Sequence, residues 1–372
     1  MSDSRLKRRG TRWSAVVWVT DQDGRRRQQR LSYDGRTHTK REAEKAFVAD
    51  LAAVDAGSFV RPTSQTVREH FADWIAAAKD YYAGSTWERY ELIVRVHINP
   101  ALGNYRLQDL KAVHLTKAYS AWRSQGLSGQ TVLHHHRLLH RILGQALREG
   151  VVTENAATFA QRPKVQRREM RMLTPSEIQR LLKHAGDLEP LIILALSSGA
   201  RRGELLGAKW ENFDSKRRTL AIQRSLEQTR NGVVEKAPKN GKARVVTLPK
   251  GAVEILLQRR REQGRIAGYI FAASDGGPEA PHRISDRFRA LSRRARISGI
   301  TFHSLRHTCA SLLLAQGVHP KVVQEMLGHS SIAITMDLYS HTTPSLQAEA
   351  ASKLDDVLKA AIGAGSLFSR AV

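Results

Sequence analysis

The sequence predicts a multidomain, mainly α protein: a small β-sheet backed by a helix, then a helical bundle, then a mixed α+β domain. Three observations predict it. Two β-rich segments flank a turn signal near the start, helical spacing of apolar residues takes over from about residue 65, and a basic, proline-containing stretch precedes a second helical region broken by short β-branched runs. With 372 residues, 41% of them hydrophobic, each part has apolar material for its own core.

Residues 1–62 form the first expected module. RWSAVVWVT and RRRQQRLSY flank the turn signal DQDG, which reads as a hairpin. Thr39 and Glu42 make a capping box ahead of a helix whose Ala43, Phe47, Leu51 and Val54 recur at helical spacing. Arg25, Arg26, Arg27 and Arg30 crowd the second strand, which suits a groove-reading sheet better than the alternative, a basic leader with no role.

Residues 63–160 predict about four helices, the second capped by Ser85 and Glu88. The last carries His134, His135, His136 and His140, and the one-turn spacing of His136 and His140 raises the question of a metal site. Neither carboxylates nor cysteines accompany them, so no metal is expected; Arg137 and Arg141 point instead to a polar, DNA-facing helix surface. Residues 161–172 read as an extended basic linker carrying Arg162, Lys164, Arg167, Arg168 and Arg171. Thr174, Pro175 and Glu177 then start the last domain, 173–372, in which TLAIQR, GVVEKA and ARVVTLP read as strands among helices. A final helix shows a Leu354, Val357, Leu358 stripe.

Lys and Arg number 60 against 35 Asp and Glu, a net charge of +25 spread along the whole chain. Such a spread fits several surfaces touching one long polyanion, whereas a membrane-surface protein concentrates its charge in one basic helix or tail. Cys309 is the only cysteine, which excludes an intrachain disulfide and a CxxC zinc pair and fits a reducing cytoplasm. The N-terminus has no apolar signal core, and PLIILAL is too short to span a bilayer.

There is no GxxxxGK[ST] loop, HExxH helix or GxSxG elbow, so ATP, zinc and serine-hydrolase chemistry lose support. The last domain clusters Arg, Lys and His rather than the carboxylates that magnesium needs. In SSGARRGELLGAKW, Arg201 sits at a turn between helices with Glu204 one turn on; taken alone, this is equally a helix-end ion pair. In TFHSLRHTCASLLLAQG, His303 and Arg306 project from one helix face, a proton-transfer group beside a permanent cation, with His307 as a structural neighbour. In HPKVVQEMLGHSSIAITMDLYSH, a short helix starts at Pro320 and ends at Gly328, His329 follows, and Tyr339 lies ten residues further on. A tyrosine with a free pKa of about 10 needs cations and a base close by to act as a nucleophile.

These three segments, in this order, resemble the signature of the phage-integrase type of tyrosine recombinase: Arg in a GxRxxE turn, Lys on a β-hairpin, HxxR, LGH and a following Tyr. The resemblance implies that Arg201 and Arg306 bind the phosphate, that His303 assists proton transfer, that His329 hydrogen-bonds the phosphate and that Tyr339 is the nucleophile. The hairpin lysine falls at Lys239, with Lys242 as the alternative. It further implies an arm-type DNA-binding domain (1–62), a core-binding domain (63–160) and a catalytic domain (173–372), clamped around double-stranded DNA at attachment sites. No cofactor is implied. The family's working form is a homotetramer in a bacterial cytoplasm, served in some cases by a directionality or DNA-bending protein, and the element is a phage or another mobile element. Two rival readings remain: a type IB topoisomerase, and a non-catalytic helix-turn-helix regulator formed by residues 320–340.

Overall fold

A computed structural model describes residues 6–20, 26–56, 59–165, 171–238, 241–264, 266–339 and 346–362. The chain forms two compact units, 1–167 and 168–372.

The first unit begins with an antiparallel sheet, β1 (Lys7–Arg9), β2 (Arg12–Thr20) and β3 (Arg26–Asp34), in that order, followed by α1 (Lys40–Asp55). Strand alternation turns Ala15, Val17, Val19 and Leu31 inward onto Phe47 of α1. Thr39 and Glu42 cap α1 reciprocally, as the sequence predicts. A second core lies in the bundle of α2 (Val67–Ala78), α3 (Gly84–Ile93), α4 (Asn99–Leu102), α5 (Ala112–Ser124), α6 (Gly129–Arg148) and α7 (Ala156–Phe159). A π turn, Val94–Ile98, joins α3 to α4. The N-cap of α3 is Ala83, not Ser85: Ala83 is extended, and its carbonyl already accepts from the Thr86 and Trp87 N–H groups.

The expectation of a DNA-facing histidine surface is corrected for His135 and His136. Val132, His135, His136, Leu139, Ile142, Leu143 and Ala146 recur at spacings of three and four and form the buried stripe of α6. His135 stacks on His97 at 4.5 Å and meets Trp122 edge-on, while His136 Nδ1 lies 3.0 Å from the Tyr119 hydroxyl. Among the described residues no group of three His, Cys, Asp or Glu could hold a metal ion. Residues 161–165 of the expected linker pack against α5 and α6: the Gln161 N–H donates to Thr116 Oγ1 of α5, and Arg162, Pro163 and Val165 line a cavity with residues of α6. A Cβ at position 129 would lie 2.5 Å from the Lys164 carbonyl, which is why a glycine opens α6.

The second unit is built on α8 (Pro175–Lys183), α9 (Glu189–Ser198) and α10 (Arg202–Leu206). A three-stranded sheet has the order β4 (Phe213–Asp214), β5 (Thr219–Ile222), β8 (Arg244–Thr247), and a separate hairpin pairs β6 (Ser225–Thr229) with β7 (Gly232–Lys236). The sequence reading did not foresee β6, a polar strand with a single buried residue, Leu226. Next come α11 (Lys250–Gln263), α12 (Pro281–Arg294), α13 (Phe302–Ala315), α14 (Pro320–Leu327), α15 (Ile332–Tyr339) and α16 (Leu346–Ile362). The apolar α9 lies in the main core with Trp210, Phe288 and Leu305. A satellite cluster of Ala310, Leu314, Val323 and Leu327 fastens α14 to α13. Each such leucine contributes about 1.5–3 kcal/mol by leaving water, enough to hold a two-turn helix that has little stability alone.

Candidate active site

Helix α9 stops at Gly199, which is left-handed with φ 59. A side chain there would collide with that of Leu327, so glycine lets the end of α9 meet the end of α14. Two residues on, Arg201 occupies the N-cap of α10. Its backbone N–H and its Nη1 both donate to Glu204, at 2.8 and 2.9 Å, and its Nη2 donates to the Gly328 carbonyl at 3.3 Å.

Arg306 comes from α13 and is 3% exposed. Its Nη1 donates to the carbonyls of Gly199 and Leu327, both at 2.7 Å, which locks the guanidinium across the junction of α9 and α14. Its Nη2 is buried and has no hydrogen-bond partner among the described residues. A buried charged donor without an acceptor is costly, so this atom marks where an anion is wanted. Burial, reinforced by Arg201, lowers the Arg306 guanidinium to about 9, still charged at neutral pH.

One turn before Arg306, His303 meets His307 edge-on at 4.7 Å. The His303 ring keeps contact with solvent, yet the protein packed around it, then His307, Arg306, Arg201 and Arg202, push it down to about 4. His329 follows the left-handed Gly328, and its Nδ1 lies 2.9 Å from the buried Thr335 hydroxyl. Burial, then Arg306, Arg201, His307 and His303, push His329 to about 4 as well. Both imidazoles are therefore neutral at pH 7, and Arg201, His303, Arg306 and His329 share one cationic cleft. Tyr339 is the last residue of α15, the helix that carries Thr335.

Lys239 lies outside the described residues, as do Arg25, Arg167 and Arg168. Lys242 is exposed in the connection 237–243. That connection does not close a hairpin: it joins β7, paired with β6, to β8, paired with β5. Cys309 is buried, and burial raises its thiol to about 12.

The N-terminal arginines do not share a face. Alternation puts Arg26 and Arg30 on the open face of the sheet and Arg27 on the other. Val16 pairs with Arg30 and Trp18 with Gln28, and both apolar side chains are exposed, Trp18 by 46%. Trp18 is thus a surface residue that the hairpin reading did not single out; counting from the buried Val17 identifies it. In the bundle, Arg162 joins Arg137, His140, Arg141 and Arg148 around a cavity of about 680 Å³, while Lys164 stays exposed nearby in sequence.

Sequence reasoning also left Arg244 and Thr335 unassigned. Arg244, the first residue of β8, forks onto Glu204 at 2.7 and 3.2 Å. Burial alone raises the Glu204 carboxyl, but the hydrogen bonds and charge of Arg244, with the Arg201 backbone and charge, hold it below the usual carboxylate range.

Residues 171–345 match the phage integrase family, and residues 66–123 match the phage integrase N-terminal SAM-like domain. The chain is 26% identical over 353 residues to a XerC-like tyrosine recombinase of Caldanaerobacter subterraneus subsp. tengcongensis, covering 86% of this chain and 90% of that protein. Its fold is similar to the Tn1549 transposon integrase in complex with a circular intermediate DNA: TM-score 0.70, 21% identity, 78% of this chain and 100% of the other. It is also similar to the lambda integrase tetramer bound to a Holliday junction: TM-score 0.58, 17% identity, 89% and 96%.

Proposed function

The chain belongs to the phage integrase family of tyrosine recombinases, DNA breaking-rejoining enzymes of site-specific recombination, and from that premise we propose how its residues divide the chemistry. The observation that carries the assignment is the buried Nη2 of Arg306, without a partner among the described residues, in a cleft shared with Arg201 and two neutral histidines.

Arg306 and Arg201 hold the non-bridging oxygens of the scissile phosphate and stabilise the charge that develops there. The Tyr339 oxygen attacks phosphorus, forming the 3′-phosphotyrosyl bond as the bond to the 5′ oxygen breaks. The phenolic proton passes to neutral His303, and Lys239, or Lys242, gives a proton to the departing 5′ oxygen. His329 donates from Nε2 to the phosphate while its Nδ1 accepts from Thr335. A 5′ hydroxyl of another strand reverses these steps, so the phosphodiester energy is conserved in the tyrosyl bond and exchange is nearly isoenergetic.

The working assembly is a homotetramer on two attachment sites, with 1–62 as arm-binding domain, 63–160 as core-binding domain, 161–172 as basic linker and 173–372 as catalytic domain. Arg26, Arg30 and Trp18 face the arm site. Arg162 lies at the core site, with Lys164, Arg167 and Arg168 alongside the backbone. The Leu354, Val357 and Leu358 stripe of α16, 59%, 63% and 46% exposed, supports docking on a neighbouring protomer. Among the described residues no helix is long and apolar enough to cross a membrane; the proposed place of action is on DNA in a bacterial cytoplasm. A directionality or bending protein completes the proposed complex on a mobile element.

Two plasmids carrying the two flanks of its own gene test the proposal. Joined recombinant circles are expected. Relaxed but unjoined plasmids would mean topoisomerase chemistry, and bound but unaltered plasmids a regulator.

A further inference from the structure

Three consecutive carbonyls at the C-terminal end of α14 each accept a hydrogen bond from a different arginine. Met326 takes Arg244 Nε at 2.9 Å, Leu327 takes Arg306 Nη1 at 2.7 Å and Gly328 takes Arg201 Nη2 at 3.3 Å. These are end-of-helix carbonyls, partially negative and otherwise short of intrahelical partners. Two of the three arginines already belong to the cleft. The third, Arg244, reaches it from β8.

Its second contact gives it a purpose. Glu204 is fully buried and accepts four hydrogen bonds, two from Arg244 and two from Arg201. The carboxylate is therefore divided between an arginine of the cleft and one whose side chain is only 12% exposed. Arg244 also packs beneath Gly328: a Cβ there would lie 3.1 Å from Arg244 Nη1. Remove Arg244 and two things follow. Glu204 loses half its donors, and the carboxylate turns onto Arg201, the only other cation it contacts among the described residues. The end of α14, and with it His329, loses one of its three clamps.

We infer that Arg244 is a positioning residue for strand cleavage: by occupying Glu204 and the end of α14 it keeps Arg201 free to face the phosphate. Arg244 touches no reacting atom. Its effect is carried by the charge Arg201 presents to the scissile phosphate, and so it depends on that phosphate being an anion. This rests on the strand-cleavage reading above.

The test compares two substrates at the cleavage position mapped with wild-type protein, an ordinary phosphodiester and a methylphosphonate, which lacks the anionic oxygen. Single-turnover cleavage of the diester by Arg244→Met is expected to fall about 10²-fold, the loss typical of one misplaced oxyanion donor, and methylphosphonate cleavage by less than about tenfold. Arg244→Lys, which keeps the charge without the fork, falls between, and takes the place of the Met variant if that does not fold. Equal losses on both substrates would make Arg244 merely structural, and no loss would remove it from the site; either overturns the inference. Wild-type protein that forms no adduct with the diester removes the strand-cleavage reading itself, a separate failure.

Discussion

His135 in the helical bundle and His303 in the second unit are both pushed down to about 4, by different surroundings. His135 is 2% exposed and lies among rings, with His97 stacked on it and Trp122 at its edge; after burial its depressors are His97, His134 and a single arginine, Arg89. His303 keeps one side open to solvent, and after burial its depressors are His307 and three arginines, Arg306, Arg201 and Arg202. On the proposed function, a phosphodiester entering the cleft would cancel the arginine charge and raise His303 but leave His135 as it was. A depressed histidine thus marks packing in one unit and readiness for an anion in the other. What separates them is a buried cation donor beside His303, Arg306 Nη2, that has no partner among the described residues.

The largest effect that would break this contrast is at Arg306. Arg306→Ala is expected to lower single-turnover cleavage about 10³-fold, whereas His135→Phe leaves the rate of folded protein within about twofold. Comparable losses in both variants would erase the distinction. Next, His303→Ala is expected to cost about 10²-fold in cleavage. In wild type the rate falls as pH drops toward the His303 value of about 4, because a protonated imidazole cannot take the tyrosine proton. Because bound DNA neutralises the arginines, this limb is expected above the free protein's value, and a limb that stays at about 4 would contradict the role of the arginines.

The smallest effect concerns stability. His135, His136 and His70 all have folded values below their unfolded value near 6.5, burial being the first cause in each. The unfolded chain therefore binds more protons between these values, so the stability of the bundle is complete above about pH 6.5 and is lost as pH falls toward 4. Hydrogen exchange of the α6 amides in the full chain should show protection falling over that window, and His135→Leu should flatten the slope. A slope unchanged by His135→Leu would place the acid sensitivity elsewhere.

Local signals carried the reading where a residue's partners lie within a turn or two. Thr39 and Thr174 cap their helices from three residues away, Gly199 and Gly328 end theirs, and the GARRGE and HSLR spacings already place Arg201 at a turn and His303 and Arg306 on one face. Period counting would have recovered more than it was asked to: the Val132, His135, His136, Leu139 run is a helical core stripe, and alternation from Leu31 separates Arg27 from Arg26 and Arg30. The π turn at 94–98 and the polar strand β6 carry no such pattern. Arg244 was out of reach for another reason, since its partners Glu204 and Met326 lie 40 and 82 residues away and only the fold brings them together.

The most direct measurement mixes the purified protein with labelled DNA from the flanks of its own gene in EDTA, denatures with detergent and looks for protein joined to DNA. The account predicts a metal-independent adduct that disappears in Tyr339→Phe. DNA that is tightly and specifically bound yet never joined, or an adduct that persists in Tyr339→Phe, would contradict it.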